Sequence, residues 1–173
     1  MITKKKALFL DRDGIINEDN GYPHKPEQIV FKSAIFDLCK EAIKKGYIIV
    51  IVTNQAGVAK GIFTEEDVIL LHKWMKERFK EKGIGISGFY YCPFHKEAVI
   101  EKYKKDSNLR KPKPGMFLQA AKDLNIDLSK SIMIGDKDSD RIELPQLKCY
   151  IIKSKYCESN YDFDSLEKVK EIL

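Results

Sequence analysis

Residues 7–19 read ALFLDRDGIINED: four apolar side chains lead without interruption into Asp11, Arg12, Asp13 and Gly14, with Asn17, Glu18 and Asp19 close behind. An apolar run with no polar alternation is the pattern of a strand covered on both faces, as in a parallel sheet. Similar runs recur at 47–53 (YIIVIVT), 88–92 (GFYYC), 131–135 (SIMIG) and 149–153 (CYIIK). Between them the apolar spacing becomes helical. Residues 33–45 put Ile35, Leu38, Cys39, Ala42 and Ile43 on one stripe, with Ser33 as cap and Gly46 as stop. Residues 63–83 repeat the logic: Thr64 caps, Glu65 to Asp67 suit the positive helix start, and Val68, Leu71, Trp74, Met75 and Phe79 form the buried face. His72 and Trp74 read as surface or packing residues. A third helix begins at Pro114, and DFDSLEKVKEIL closes the chain with a fourth helical pattern. Strands alternating with helices predict an α/β fold, a doubly wound, Rossmann-like parallel sheet flanked by helices.

Such sheets gather their chemistry beyond the carboxyl ends of the strands. Asp11 and Asp13 stand there after the first strand, and two carboxylates this close repel unless a cation or proton is shared between them. After the fourth apolar run, GDKDSD supplies Asp136, Asp138 and Asp140. Neighbouring parallel strands lie ~4.8 Å apart, so carboxylates from two strand ends can ligate one ion. Hard oxygen ligands with room for water and phosphate oxygens favour Mg2+. The second strand ends on Thr53 and Asn54, whose hydroxyl and amide suit a phosphoryl oxygen. RKPKPG then sets Arg110 and Lys111 just before the third helix, with Pro112 and Pro114 stiffening the approach.

At 173 residues the chain is the size of one domain, and we expect residues 1–173 to form one. Its net charge of +5 comes from lysines interleaved with Glu and Asp, with no uninterrupted basic stripe. That balance argues against a nucleic-acid partner and suits attraction of a small anionic substrate. No apolar run approaches the ~18 residues of a membrane span. We therefore expect a cytoplasmic protein without membrane partners, and a monomer, because the assigned helical faces leave no exposed apolar stripe. Cys39, Cys92, Cys149 and Cys157 lack paired spacing, so no disulfide framework is expected.

The four motifs in this order resemble the haloacid dehalogenase superfamily of phosphatases: DRDG first, Thr53 second, Lys111 third and GDKDSD fourth. Within it, FLDRDGIIN, TNQAGVAKG, CPFH and RKPKPGM are similar to the small group, without a large cap domain, that contains heptose 1,7-bisphosphate and histidinol phosphatases. The resemblance implies that Asp11 attacks phosphorus to form an aspartyl phosphate and that Asp13 is the acid and base. It implies Mg2+ held by the Asp11 side chain, the Asp13 carbonyl and Asp136, with Thr53, Asn54 and Lys111 on the phosphoryl group and Asp140 supporting the metal site. Asn17, Asn20 and Arg110 would meet the substrate, Arg110 gripping a second phosphate bidentately. The implied reaction is hydrolysis of D-glycero-D-manno-heptose 1,7-bisphosphate on the way to nucleotide-activated heptose for surface polysaccharide. The alternative is histidinol phosphate or another small sugar phosphate. A polynucleotide 3'-phosphatase shares the first motif but calls for a continuous basic groove. A phospho-accepting signalling domain would lack an acid/base two residues after its nucleophile.

The pattern breaks in the long irregular stretch 93–113. Members of the group often hold zinc there through Cys-x-His and Cys-x-Cys pairs. Here those positions carry Cys92, Phe94, Ser107 and Leu109, with His95 shifted by one, and a tetrahedral structural site cannot close. Phe94 and Leu109 are expected to pack in its place. Metal analysis of the purified protein should accordingly find far less than one zinc per chain; an equimolar content would refute this.

Overall fold

The computed structural model describes residues 3–173. Five strands form one parallel sheet in the order β3-β2-β1-β4-β5: β1 (Lys6–Leu10), β2 (Tyr47–Asn54), β3 (Ile86–Cys92), β4 (Ile132–Gly135) and β5 (Lys148–Ile151). The doubly wound α/β sheet expected from the apolar runs is the fold found. The chain builds outward from β1 through β2 to β3, then returns to the other side of β1 with β4 and β5. The topological switch point therefore lies between β1 and β4, where such sheets open a crevice.

The period-2 geometry of β1 divides the core. Leu8 and Leu10 point into a cluster with Ile35 and Leu38 of α1 (Ile35–Lys44) and Leu71, Met75 and Phe79 of α3 (Glu65–Glu81). Ala7 and Phe9 point the other way, against Met116, Phe117 and Ala120 of α4 (Gly115–Leu124). A one-turn helix, α2 (Ala56–Ala59), comes directly after β2.

Local chemistry accounts for the helix limits. Thr64 and Asp67 form a reciprocal capping box at the start of α3, which satisfies two orphan amides, and three acidic residues fill its first turn. Gly46, at φ 85°, ends the α1 segment as expected, whereas its N-cap is Ala34 rather than Ser33, with no side-chain cap. The C-terminal pattern forms 3-10 turns over Leu166–Ile172 instead of an α-helix. Its two buried residues, Leu166 and Val169, are three apart, a spacing the tighter helix serves as well. On α3, His72 is buried while Trp74 is only partly so, reversing the expected emphasis. Ile69 and Leu70 on the same helix are 54% and 57% exposed, so the premise of fully covered apolar faces does not hold there.

Strand register sets up the site. Leu10 pairs with Ile51 of β2 and Ile134 of β4, so Asp11, Thr53 and Asp136 all lie within three residues of one level at the carboxyl edge. The Asp11 amide extends the ladder, donating to the Ile134 carbonyl at 3.0 Å.

Candidate active site

Lys111 stands at the centre of the carboxyl edge. Its ammonium donates to Asp11 Oδ1 at 2.8 Å, Asp140 Oδ1 at 2.6 Å and the Val52 carbonyl at 3.1 Å, so each of its three protons has an acceptor. Asn54 fixes the backbone that delivers it, accepting from the Lys111 amide at 3.0 Å and donating to the Lys111 carbonyl at 3.2 Å. Asp140 is fully committed, since Oδ2 accepts the amides of Asp136 and Lys137 at 3.0 and 3.1 Å. It acts as a tether between the fourth strand's loop and Lys111.

Single carboxylate oxygens of Asp11, Asp136 and Asp140 lie within 4.8 Å of one another, the one such convergence among the described residues. Asp136 Oδ1 is buried with no hydrogen-bond partner. Gly14, at φ 96°, lets the chain turn directly above it: a Cβ there would fall 2.1 Å from Asp136 Oδ2. Burial raises the Asp11 carboxyl pKa above the usual range, opposed by Lys111 and aided by Asp140. Burial and then Asp11 raise that of Asp136, against the pull of Lys137. Burial works against the charge on Lys111, but Asp11 and Asp140 outweigh it and hold the proton on. Three buried carboxylates around one ammonium thus lack positive charge, and an orphaned hard oxygen faces the gap. The donor set fits a divalent, oxygen-loving cation.

Asp13 is held apart from this cluster. Arg12 grips both its oxygens, Nε to Oδ1 at 3.0 Å and a terminal nitrogen to Oδ2 at 2.9 Å, while Asn17 donates to Oδ1 at 3.0 Å and Gln55 to Oδ2 at 3.1 Å. The Arg12 guanidinium is entirely buried; it also reaches the Pro23 carbonyl at 2.8 Å, Gln55 Oε1 at 3.1 Å and His72 Nε2 at 3.3 Å. Gln55 donates as well to the Thr53 hydroxyl at 2.8 Å, linking the first two motifs.

Asp11, Asp13, Thr53, Asn54, Arg110, Lys111 and Asp140 all line one cavity of about 280 Å3. Asp136 lies on its neighbour, a cavity of about 420 Å3 behind Gly14. Two expected substrate contacts are not brought to the pocket. Asn17 is buried beneath Asp13, and Asn20 is spent on the Gln28 carbonyl at 3.0 Å. Asp138 is exposed and stands outside the carboxylate cluster. Arg110 has no carboxylate partner among the described residues; its guanidinium donates to the Phe94 carbonyl at 3.5 Å. Asp19 and Tyr22, within the stretch 17–31 that is expected to cover the entrance, also line the walls, together with Gln55, Lys137 and Tyr156, to which the sequence assigns no role in the site. Gln55 and Lys137 directly succeed the TN and GD pairs, and that adjacency to the motifs was a signal of their place. Arg12, between two aspartates, carried no signal of its burial.

In the long loop, Phe94 and Leu109 pack against the α4-side core, as expected, and Ser107 Oγ accepts the Leu109 amide at 3.1 Å. Burial raises the Cys92 thiol pKa. His95 Nδ1 accepts the Glu97 amide at 3.1 Å.

The family model described as "Polynucleotide kinase 3 phosphatase" matches residues 9–167. A D-glycero-alpha-D-manno-heptose-1,7-bisphosphate 7-phosphatase of Burkholderia mallei is 48% identical over 137 residues, which is 79% of this chain and 72% of that protein. A D-glycero-beta-D-manno-heptose-1,7-bisphosphate 7-phosphatase of Vibrio cholerae is 48% identical over 136 residues, 79% of this chain and 73% of the other. Among solved structures, an HAD-like phosphatase from Mesorhizobium loti superposes with a TM-score of 0.78 at 32% identity, over 88% of this chain and 74% of that one. The D,D-heptose 1,7-bisphosphate phosphatase from B. bronchiseptica, solved with magnesium and phosphate, reaches the same TM-score of 0.78 at 20% identity, over 96% and 97% of the two chains. At that identity it speaks to the fold.

His72 provides a test of the buried network. Burial, reinforced by Arg12, depresses its pKa from the ordinary 6.5 to about 3. Between those values the unfolded chain binds a proton that the folded one refuses, so the group removes stability as pH falls below 6.5, by at most about 1.4 kcal/mol per pH unit. In urea titrations at pH 6.5 and 4.5, His72→Gln should lose markedly less stability over that interval than the parent protein. Equal losses would show that His72 does not stay neutral in the fold.

Proposed function

Because the chain belongs to the haloacid dehalogenase superfamily of phosphatases, within its heptose 1,7-bisphosphate 7-phosphatase group, we propose that it hydrolyses the 7-phosphate of a D-glycero-D-manno-heptose 1,7-bisphosphate. The observation that carries this is the convergence of the Asp11, Asp136 and Asp140 carboxylates, with Lys111 bonded to Asp11 and Asp140, beside a polar cavity in a chain whose curated relatives bear that name.

In this reading Lys111 orients Asp11 through Oδ1, and the carboxylate attacks phosphorus as the bond to the sugar oxygen breaks. Asp13 gives its proton to the departing alkoxide. It then takes one from the water that cleaves the aspartyl phosphate, returning Asp11 and inorganic phosphate. The four N–H donors around Asp13 hold its carboxylate in one orientation. Thr53 and Lys111 face the phosphoryl oxygens, while Asn54 serves by holding the Lys111 backbone. Arg110, uncommitted to any carboxylate among the described residues, receives the second phosphate. Asp11, the Asp13 carbonyl and Asp136 would hold Mg2+, which when bound offsets charge on the transferring group. We assign no zinc: the loop positions Phe94, Ser107 and Leu109 supply no ligands to join Cys92.

The matching family model is named for a polynucleotide phosphatase, but relatives covering 79% of the chain are named for a small sugar bisphosphate. We favour the sugar and a cytoplasmic site of action, consistent with a biosynthetic role. No helix among the described residues is long and apolar enough to cross a membrane.

Phosphate release with Mg2+ should be fastest on heptose 1,7-bisphosphate, assayed as both anomers, and far slower on histidinol phosphate and a 3'-phosphorylated oligonucleotide. EDTA should abolish turnover. Asp11→Asn and Asp13→Asn should each lower kcat by about 100-fold or more, since each removes a group from the reacting atoms. Preference for either control substrate would overturn the assignment, and full activity of Asp11→Asn would overturn the mechanism.

A further inference from the structure

Tyr156 belongs to no motif, yet it stands at the entrance to the site. It lines both the cavity of about 280 Å3 that holds Asp11 and the neighbouring one of about 420 Å3 that holds Asp136; among the described residues only Asp19 shares that position. Tyr156 is 48% exposed, unusual for a large aromatic with no core role.

Its placement is built. Ser154 and Cys157 close a tight turn through reciprocal backbone bonds of 3.3 and 3.1 Å. The Ser154 hydroxyl donates to the Asp136 carbonyl at 2.6 Å and accepts the Tyr156 amide at 3.1 Å, so the turn is pinned to the backbone of a carboxylate of the central cluster. Two ammonium groups lie against the ring, Lys137 at 4.4 Å and Lys155 at 5.0 Å from its centroid. Lys137 is in turn paired with Asp19 Oδ2 at 3.1 Å, and Lys155 reaches the Asp19 carbonyl at 3.3 Å. Aromatic ring, two cations and one acid thus brace each other as a single wall.

A cavity of about 280 Å3 falls at the small end of ligand sites, which run from roughly 300 Å3 upward. Once a phosphoryl group is seated against Asp11 and Lys111, the organic remainder of the substrate must lie at the mouth, where Tyr156 projects. We propose that Tyr156 is a specificity-determining residue: it forms the wall against which the polyhydroxylated leaving group rests, with its ring in contact with sugar C–H groups and its hydroxyl among the sugar oxygens. This rests on the sugar-phosphate reading above and extends it to a segment outside the motifs. The phosphoryl subsite itself does not depend on the ring.

The test compares Tyr156→Ala and Tyr156→Phe with the parent enzyme, using heptose 1,7-bisphosphate as substrate and inorganic phosphate as competitive product inhibitor, in Mg2+. Loss of a ring contact shared by ground and transition states should raise KM about tenfold in the alanine variant, with most of that recovered by phenylalanine. The inhibition constant of inorganic phosphate should remain within twofold in both, because phosphate occupies only the inner site. An unchanged KM in Tyr156→Ala would overturn the proposal. A parallel rise in KM and the phosphate constant would also overturn it, by showing that the turn merely supports the cluster. If the parent enzyme ignores the bisphosphate but phosphate still binds, the sugar-phosphate reading is what fails, and the Tyr156 assignment falls with it.

Discussion

The site depends on one buried ammonium. Lys111 meets Asp11 and Asp140 at 2.8 and 2.6 Å with all three groups almost wholly out of solvent. Taking such charges from water is costly, and the pairing must offset that cost with close geometry. The surrounding chain supplies it: Asn54 clamps the Lys111 backbone from β2, the Val52 carbonyl takes the third proton, and two amides after β4 hold the far oxygen of Asp140. The ammonium therefore joins the ends of β1, β2 and β4 to the loop before α4. Without it, two buried carboxylates would face each other unpaired, and a single orphaned buried charge already costs about 3 to 5 kcal/mol.

Lys111 bonds only two of the three acids, and Lys137, which also draws on Asp136, is paired with Asp19, so the carboxylate cluster stays short of positive charge. A structure built only for stability would neutralise Asp136; here Oδ1 has no partner, and Gly14 replaces a side chain that would fill the space above it. Asp13, two residues from Asp11, escapes the same deficit because Arg12 and Gln55 turn its carboxylate into a separate, balanced pair. The two aspartates of the first motif thus occupy different electrostatic environments although they share a turn. Unlike surroundings are how neighbouring carboxylates come to play unlike roles.

Much of this was legible in the sequence because it is written in local rules. Continuous apolar runs marked both-face burial of the strands, and the fall of Asp11 and Asp136 just beyond two of them, with Thr53 at the end of another, came from chain order alone. Asp140 reads as a support, and its carboxylate joins Lys111 to the Asp136 amide through bonds no spacing could foretell. What stayed hidden depends on contacts distant in sequence. Arg12 and His72 lie 60 residues apart and are buried against each other; neither a guanidinium between two acids nor a histidine on an amphipathic helix signals such a partner. Asn17 and Asn20 looked like substrate contacts because loop amides are versatile donors, yet both are consumed locally, beneath Asp13 and on Gln28.

The long loop that carries Phe94, Ser107 and Leu109 is held without any cluster of metal-ligating side chains of its own among the described residues. A metal would tie a long loop by coordination; here the loop is tied by apolar contact of Phe94 and Leu109 with the α4-side core and by Ser107 on the Leu109 amide. The loop's far end is also secured by the Tyr103 hydroxyl on Glu65 at 2.8 Å, which binds it to the first turn of α3. The same loop sets Arg110 half-buried at the pocket edge, uncommitted to any acid among the described residues. Coordination bonds hold a loop rigidly but demand four ligands at fixed spacing, whereas apolar packing tolerates drift in both length and sequence. Asn54 clamps the Lys111 amide and carbonyl from β2, and the neighbouring Arg110 is held through its own amide on the Ser107 carbonyl at 3.1 Å.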